Sequence, residues 1–267
     1  MPLGRKALKP KISHHPYEGL AVADVLGCNI HCVSMDEALA IAERFLSERT
    51  PHHIVTADAS AVVIAQRDEE FRSILNTADL VVPDSNGVVW ACRMLGYPVH
   101  ERVAGVDLMD RLCRLAAERG FSAFFYGAAP GVAEAAARNL EAAYPGLRVV
   151  GTMHGYAPDS EESSIVARIR ALRPDMLFVA LGIPRQEKWI HRNKQALGVP
   201  LAMGVGGSLD CFSGRVKRAP VWLRERGLEW AYRLAKDPRK FRKVAMLPHF
   251  ALLVLLQSVS QRRLKGM

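Results

Sequence analysis

The 267-residue chain has only five cysteines, Cys28, Cys32, Cys92, Cys113 and Cys211, and no two of them form a CxxC pair. Thiols scattered singly through apolar segments suit neither a zinc ribbon nor a disulfide framework, so they read as reduced core residues of a cytosolic protein. No apolar run reaches the roughly 18 to 20 residues that a spanning helix needs, so the chain is expected not to cross a membrane. The first residues, MPLGRKALKPKISHHPYEG, are basic but have no apolar core segment. They read as a flexible leader over about 1–20 rather than a secretory signal, with His14 and His15 solvated.

Other absences narrow the chemistry. There is no Walker loop, no HExxH, no GxSxG and no cysteine set with metal-ligand spacing. There is also no Asp-x-Asp pair of the kind that holds a divalent metal against a diphosphate. If such a group is handled, arginines, lysines and helix N-termini must supply the positive field, with no metal and no cofactor.

What is present is enough apolar sequence, 49% of the residues, to bury a full core. The formal charge of +9 is not evenly spread: residues 1–214 hold 22 Lys+Arg against 24 Asp+Glu, and residues 215–267 hold 14 against 3. The basic character therefore belongs to the tail. Arg215 to Lys243 carries eleven basic residues interleaved with Trp222, Trp230, Tyr232 and Phe241. An apolar stretch from Met246 to Val259 follows, then Arg262, Arg263 and Lys265. Such a mixture fits helices lying on an anionic membrane surface, or a helical flap that packs on the parent domain or on a second subunit of a homo-oligomer. Nucleic acid is not the expected partner.

Strand and helix patterns alternate along the rest of the chain. Val22 to Val33 reads as a hairpin turning near Gly27-Cys28-Asn29. Ser34 and Glu37 have capping-box spacing ahead of Ala38, Ile41, Ala42, Phe45 and Leu46, which repeat with helical period. Strands are predicted at His53–Val55, Leu80–Val82, Ala123–Tyr126, Arg148–Gly151, Met176–Leu181 and Leu201–Gly204, with helices between them. This order implies an α/β fold: a Rossmann-like parallel sheet flanked by helices. The expected organisation is an N-terminal α/β region at about 21–104, a Rossmann-like region at about 105–214 and a basic amphipathic helical appendage at 215–267.

The stretch from Asp79 to Asp107 concentrates the candidate chemistry. Its strand runs through Pro83 into Asp84, and open α/β sheets bind ligands at the C-terminal ends of their strands. Asp84 is either a ligand-facing carboxylate or the cap of the helix that follows. Thr56 and Asp58 end the preceding strand in the same way, so the two mouths can form one site, with Arg102 nearby as a cation. Gly127 to Gly131 resembles a phosphate-binding turn, but it lacks the GxGxxG spacing and Pro130 removes one donor. Gly204 to Ser208, ahead of Asp210, either turns backbone amides toward a diphosphate or is only a tight turn. Gln186, at a helix start, has both donor and acceptor groups suited to sugar hydroxyls.

Taken in order, Thr56-Ala-Asp58, Pro83-Asp84, Arg102-Val-Ala-Gly-Val-Asp107, Tyr126-Gly127, Gly182-x-Pro184-x-Gln186-Glu187-x-Trp189, Gly204-Val-Gly-Gly207, Arg218-Ala-Pro220-x-Trp222 and Gly227-Leu-Glu-Trp-x-Tyr-Arg233 resemble the WecG/TagA/CpsF glycosyltransferases. The resemblance runs from about residue 24 to 243. It implies an inverting, metal-independent enzyme that moves a sugar from a nucleotide diphosphate to a lipid-diphosphate-linked sugar. The setting it implies is the cytoplasmic membrane face, in bacterial surface polysaccharide or teichoic acid assembly. It makes Asp84 the general base and puts Thr56, Arg102 and Gln186 in the pocket. It also implies that the basic appendage binds the membrane and helps complete the site, where Arg215 and Arg218 can meet phosphates. Gly127, Gly206, Gly207 and Asp210 complete the expected substrate-binding set, with Asp58.

Two residues depart from the family pattern. Asp58 stands where asparagine is common, and Ser85 where glycine is common. The first puts a second ionisable group beside Asp84, able to raise one carboxylate's pKa by like-charge repulsion or to claim the base role. Two other classes remain open on sequence: a nucleotide-dependent oxidoreductase, disfavoured by the missing GxGxxG, and a non-catalytic membrane adaptor using the basic tail.

Overall fold

Six short apolar segments pair side by side into one parallel sheet, and the pairing explains why these segments read as nearly continuous hydrophobic runs. The structure, a computed structural model, describes residues 20–220, 222, 223, 232, 234 and 245–265. The leader and most of the aromatic, basic part of the appendage, with Trp230, Arg233 and Phe241, lie outside the described residues.

The sheet contains β3 (His52–Ala57), β4 (Leu80–Pro83), β5 (Ser122–Gly127), β6 (Arg148–Met153), β7 (Met176–Ala180) and β8 (Leu201–Gly204). Its order is β4-β3-β8-β7-β5-β6. Alternate residues face opposite sides. Ile54, Leu80, Val82, Phe125, Phe178 and Met203 enter one core, whereas Val55, Ala57 and Val81 enter a second and Phe124, Leu177 and Val179 a third. Because helices cover both faces, neither set of positions stays polar. The strands of the N-terminal region and those of the second half form one continuous sheet.

Ahead of it, β1 (Val22–Val25) and β2 (Cys28–His31) form an antiparallel hairpin. The turn is Leu26-Gly27, earlier than the glycine-cysteine-asparagine position expected from sequence, and both residues are left-handed, with φ of 55° and 77°. Such a two-residue turn matches the twist of the flanking strands. Helix α1 (Met35–Glu48) opens with the Ser34–Glu37 capping box and buries Ala38, Ile41, Ala42, Phe45 and Leu46, as the periodicity predicts. Next come α2 (Ala59–Ala65), α3 (Glu69–Thr77), α4 (Asn86–Met94) and α5 (Gly105–Arg119), which stops at left-handed Gly120. The later helices are α6 (Val132–Ala143), α7 (Glu162–Leu172), α8 (Arg185–Leu197) and the short α9 (Ser208–Phe212).

The last described element is α10 (Met246–Lys265). It packs on α2 and α4, with Phe250 and Val254 buried in the same core as Val88 and Cys92. Gln257 fastens it to the hairpin: its Oε1 accepts the Leu26 N–H at 2.9 Å and its Nε2 donates to the Asp24 carbonyl at 3.0 Å. Of the two alternatives for this segment, packing on the parent domain is thus observed for one face of α10. The other face carries Leu252, Leu255, Leu256 and Val259, each 45–56% exposed. Among the described residues, no helix is long and apolar enough to cross a membrane.

Candidate active site

A parallel sheet brings the ends of all its strands to one rim, and this places the sequence-predicted residues along a single edge of the molecule. Neighbouring β3 and β4 are in register, Thr56 opposite Val82 and Ala57 opposite Pro83. The Asp84 N–H continues the ladder to the Ala57 carbonyl at 3.0 Å. Asp58 and Asp84 therefore leave adjacent strands side by side.

The two carboxylates do different work. Asp58 caps α2: its Oδ1 accepts the Ala61 N–H at 2.8 Å and the Ser60 hydroxyl at 2.5 Å. Asp84 does not cap its own helix, because Ser85 does so. The Ser85 Oγ accepts the Val88 N–H of α4 at 3.3 Å and also the Ala59 N–H of α2 at 3.2 Å. Asp84 instead reaches across to α5, where its Oδ1 accepts the Gly105 N–H at 2.7 Å. A carboxylate at a helix N-terminus is stabilised by the unpaired amides and the dipole there.

The segment before α5 is built alongside β4. Val103 donates its N–H to the Pro83 carbonyl at 3.0 Å, so Arg102 is carried to the level of Asp84. At Gly105 the chain passes so close to Thr56 that an added Cβ would lie 2.9 Å from Thr56 Cγ2. Thr56, buried, donates its hydroxyl to the Gly204 carbonyl at 3.3 Å. It thereby ties the β3 mouth to the β8 mouth.

The appendage also enters through α5. Asp107, in the first turn of α5, holds Arg218 by two parallel bonds, Nη1 to Oδ1 at 2.7 Å and Nη2 to Oδ2 at 3.1 Å. Ala219 beside it is buried, and the Val216 N–H bonds to the Asp210 carbonyl at 3.0 Å. The start of the appendage is therefore fastened to the same helix turn that receives Asp84. Arg215 lies exposed on this segment.

This rim joins an acidic group, cations and a fastened C-terminal segment at the mouths of a Rossmann-like sheet, and the wider comparison agrees with it. A family model described as "Glycosyl transferase WecG/TagA/CpsF family" matches residues 23–264. The chain belongs to the WecG/TagA/CpsF family of glycosyltransferases. Relatives named N-acetylglucosaminyldiphosphoundecaprenol N-acetyl-beta-D-mannosaminyltransferase include one from Bacillus spizizenii, 36% identical over 79% of this chain and 81% of its own length. Another, from Bacillus subtilis, is 31% identical over 83% and 86%. A third, from Staphylococcus aureus, is 33% identical over 86% and 91%. As a glycosyltransferase the protein is an enzyme, which sets aside both the oxidoreductase and the adaptor.

In this transferase the glycine-rich turns differ from their expected use. Gln186 is 1% exposed, and its Oε1 accepts the N–H groups of Gly182 at 3.1 Å and Gly206 at 3.0 Å. Its Nε2 donates to Glu187 Oε1 at 2.7 Å. The Gln186 carbonyl is thus a clamp on two backbone turns rather than an acceptor for sugar hydroxyls. In the turn after β8, the Val205 and Ser208 N–H groups bond to the carbonyls of Val179 and Val205. With Gly206 held by Gln186, these three amides do not face a diphosphate. Gly204 has no room for a side chain, since a Cβ would meet Gln186 Nε2 at 2.6 Å and Glu187 Oε1 at 2.8 Å. Gly207 is exposed at the rim and Asp210 is partly exposed in α9.

The turn after β5 is dictated by close backbone approach. A Cβ on Gly127, at φ 124°, would meet the Ala180 carbonyl oxygen at 2.4 Å. The Ala128 N–H bonds to that same oxygen at 2.8 Å. Reasoning from sequence missed the bidentate Asp107–Arg218 pair and the double cap by Ser85. The serine carried a signal, since serine just before a helix is a preferred cap. The ion pair spans 111 residues and left none.

Proposed function

We propose that this transferase moves an N-acetylmannosamine-type or other hexose from a UDP-sugar to a lipid-diphosphate-linked sugar, by one inverting displacement that needs no metal. The observation that carries this reading is the position of Asp84, at the mouth of β4 with Oδ1 fixed by the Gly105 N–H. That bond fixes the orientation of the carboxylate at the strand mouth. Asp84 takes the proton of the acceptor hydroxyl as that oxygen attacks the anomeric carbon, and the nucleoside diphosphate leaves from the opposite face. A base so placed contributes about 10²- to 10⁴-fold, with positioning and charge stabilisation supplying the remainder. Arg102 and Arg215 supply positive charge toward the phosphates, Arg218, paired with Asp107, positions the segment that carries Arg215, and Thr56, Gly127, Gly207 and Asp210 line the donor side. Asp58, engaged by Ser60 and the α2 amide, serves as the cap of α2. The names of the relatives support an N-acetylglucosaminyl diphosphoundecaprenol acceptor. The product would enter bacterial cell-surface polysaccharide or teichoic acid synthesis.

The same reading places the enzyme on the inner face of the cell membrane. The exposed leucines and valine of α10, followed by Arg262 and Arg263, suit an anionic bilayer surface. The test is a panel of nucleotide sugars offered with a lipid-diphosphate-linked sugar, scored for nucleoside diphosphate release with and without EDTA. Release with UDP-N-acetylmannosamine that survives EDTA supports the reading. Release that EDTA abolishes removes the metal-independent step, and no release across the panel removes the donor assignment.

A further inference from the structure

Between α4 and α10 lies an open groove of about 520 Å³, lined by Asn86, Val89, Trp90, Arg93 and Met94 on one side and Arg262 on the other. The α4 residues recur at intervals of three and four, so they form one stripe of that helix. The stripe starts two residues after Asp84, at the sheet mouth, and extends for about 12 Å at 1.5 Å per residue. It combines an apolar floor with two cations. Trp90 is 36% exposed there, an unusual position for a large aromatic. Arg93 is held in place, with Nε donating to the Val99 carbonyl at 2.9 Å and Nη2 donating to the His100 carbonyl. Across the groove, Leu255 and Val259 precede Arg262 by seven and three residues, which puts all three on one stripe of α10.

The geometry points to this groove as the seat of the acceptor's polyprenyl diphosphate, an inference that rests on the lipid-linked acceptor proposed above. A sugar whose hydroxyl meets Asp84 lies over the first turn of α4 and directs its diphosphate along the helix toward Arg93, in the last turn. Arg93 and Arg262 offer the complementary charge, and guanidinium groups match phosphate oxygens in shape as well as sign. The isoprene units nearest the diphosphate then lie on Trp90 and Met94, which flank Arg93 on the same stripe. The groove is shallow and open to solvent, so it holds only the first units of the chain. The rest of the chain continues past the exposed Leu252, Leu255, Leu256 and Val259 into the bilayer. The groove thus connects the membrane to the candidate base along one helix.

The experiment uses the full chain and two acceptors with the same sugar diphosphate, one on a long polyprenol and one on a short soluble alkyl tail. Trp90→Ala removes the apolar floor and Leu255→Lys places a charge on the exposed α10 stripe that leads to Arg262. Each is expected to lower kcat/KM for the polyprenyl acceptor about tenfold more than for the short one, a difference of about 1.4 kcal/mol. Arg262→Gln is expected to raise KM for both acceptors, since both carry the diphosphate, with little change in the donor KM. Leu172→Ala, an exposed residue on α7, serves as the control and changes neither ratio. Flotation with phosphatidylglycerol–phosphatidylcholine vesicles separates the groove from general membrane contact. If vesicle binding falls by the same factor as kcat/KM, or if both acceptors respond equally to Trp90→Ala and Leu255→Lys, the inference is overturned. A polyprenyl diphosphate bearing a diazirine gives a readout without turnover. Label in the α4 and α10 peptides supports the groove even if the donor assignment fails. Label confined to other elements overturns it even if transfer is observed.

Discussion

The Oδ1 of Asp84 accepts the backbone N–H of Gly105 at 2.7 Å, so the end of β4 is joined to the start of α5 across 21 residues of sequence. Four other features of the site lie around that joint. The Val103–Pro83 bond brings Arg102 to the level of Asp84, Gly105 lies against Thr56, Asp107 holds Arg218 within the same turn, and Ser85 caps α4. The first turn of α5 is thus the scaffold of the site.

Asp84→Asn should lower kcat by about 10²- to 10⁴-fold while leaving the melting temperature almost unchanged. Asparagine keeps an oxygen for the Gly105 N–H but cannot accept the proton. Asp58→Asn preserves the α2 cap, because asparagine caps as well as aspartate, and should cost much less turnover. Steady-state kinetics on both variants checks the assignment, and a larger loss at Asp58 moves the base there.

Gly105→Ala should destabilise the fold by about 1–3 kcal/mol, a typical cost of forced overpacking. The new methyl would lie 2.9 Å from Thr56 Cγ2. Thr56→Ser removes that methyl, so the double variant should be more stable than the sum of the single losses by at least about 0.5 kcal/mol. Urea unfolding of the four proteins measures the coupling. Strict additivity would show that the contact does not govern the cost.

Asp107→Ala and Arg218→Ala should each loosen the start of the appendage. Their side chains are 36% and 25% exposed, so solvent screens the pair and the coupling energy should be about 1 kcal/mol or less. A double-mutant cycle in stability reads it directly. Donor KM should rise in both single variants and no further in the double, because removing either partner releases the same segment.

His53 gives the protein a pH dependence above the carboxylate range. Burial is the main reason its pKa falls from 6.5 to about 3; the Lys194 charge adds to the fall, and Asp79 partly opposes it. The folded state keeps this histidine neutral while the unfolded chain binds a proton below about pH 6.5. Its stability contribution is therefore complete above that pH and is lost as pH falls toward 3. His53→Leu should flatten the stability profile between pH 7 and 5. An unchanged slope there would remove His53 as its source.

Much of the fold was legible because it depends on local rules. The α1 capping box and the apolar strands were found where cap chemistry and periodicity put them. The hairpin turn was misplaced because Leu26 is left-handed, a conformation that a leucine gives no reason to expect. The site was legible in part. Asp84 and Asp58 were marked by their position after strands, but nothing in the sequence separated their roles. What differs between them in the structure is their partners, Ser60 and the α2 amide for Asp58 and Gly105 for Asp84.

The amino-acid sequence alone determined the α/β class, the family motifs and the concentration of charge in the last fifth of the chain. These depend on residue order, spacing and composition, which need no coordinates. Tertiary structure decided what each polar group is committed to. It turned Gln186 inward onto Gly182 and Gly206, paired Arg218 with Asp107, and laid α10 along α4 so that Trp90 and Arg262 face one groove. A buried donor or acceptor must find a partner wherever the folded backbone offers one. Gly206 lies 20 positions from Gln186 and Asp107 lies 111 from Arg218, and local sequence pattern carries no record of such pairs.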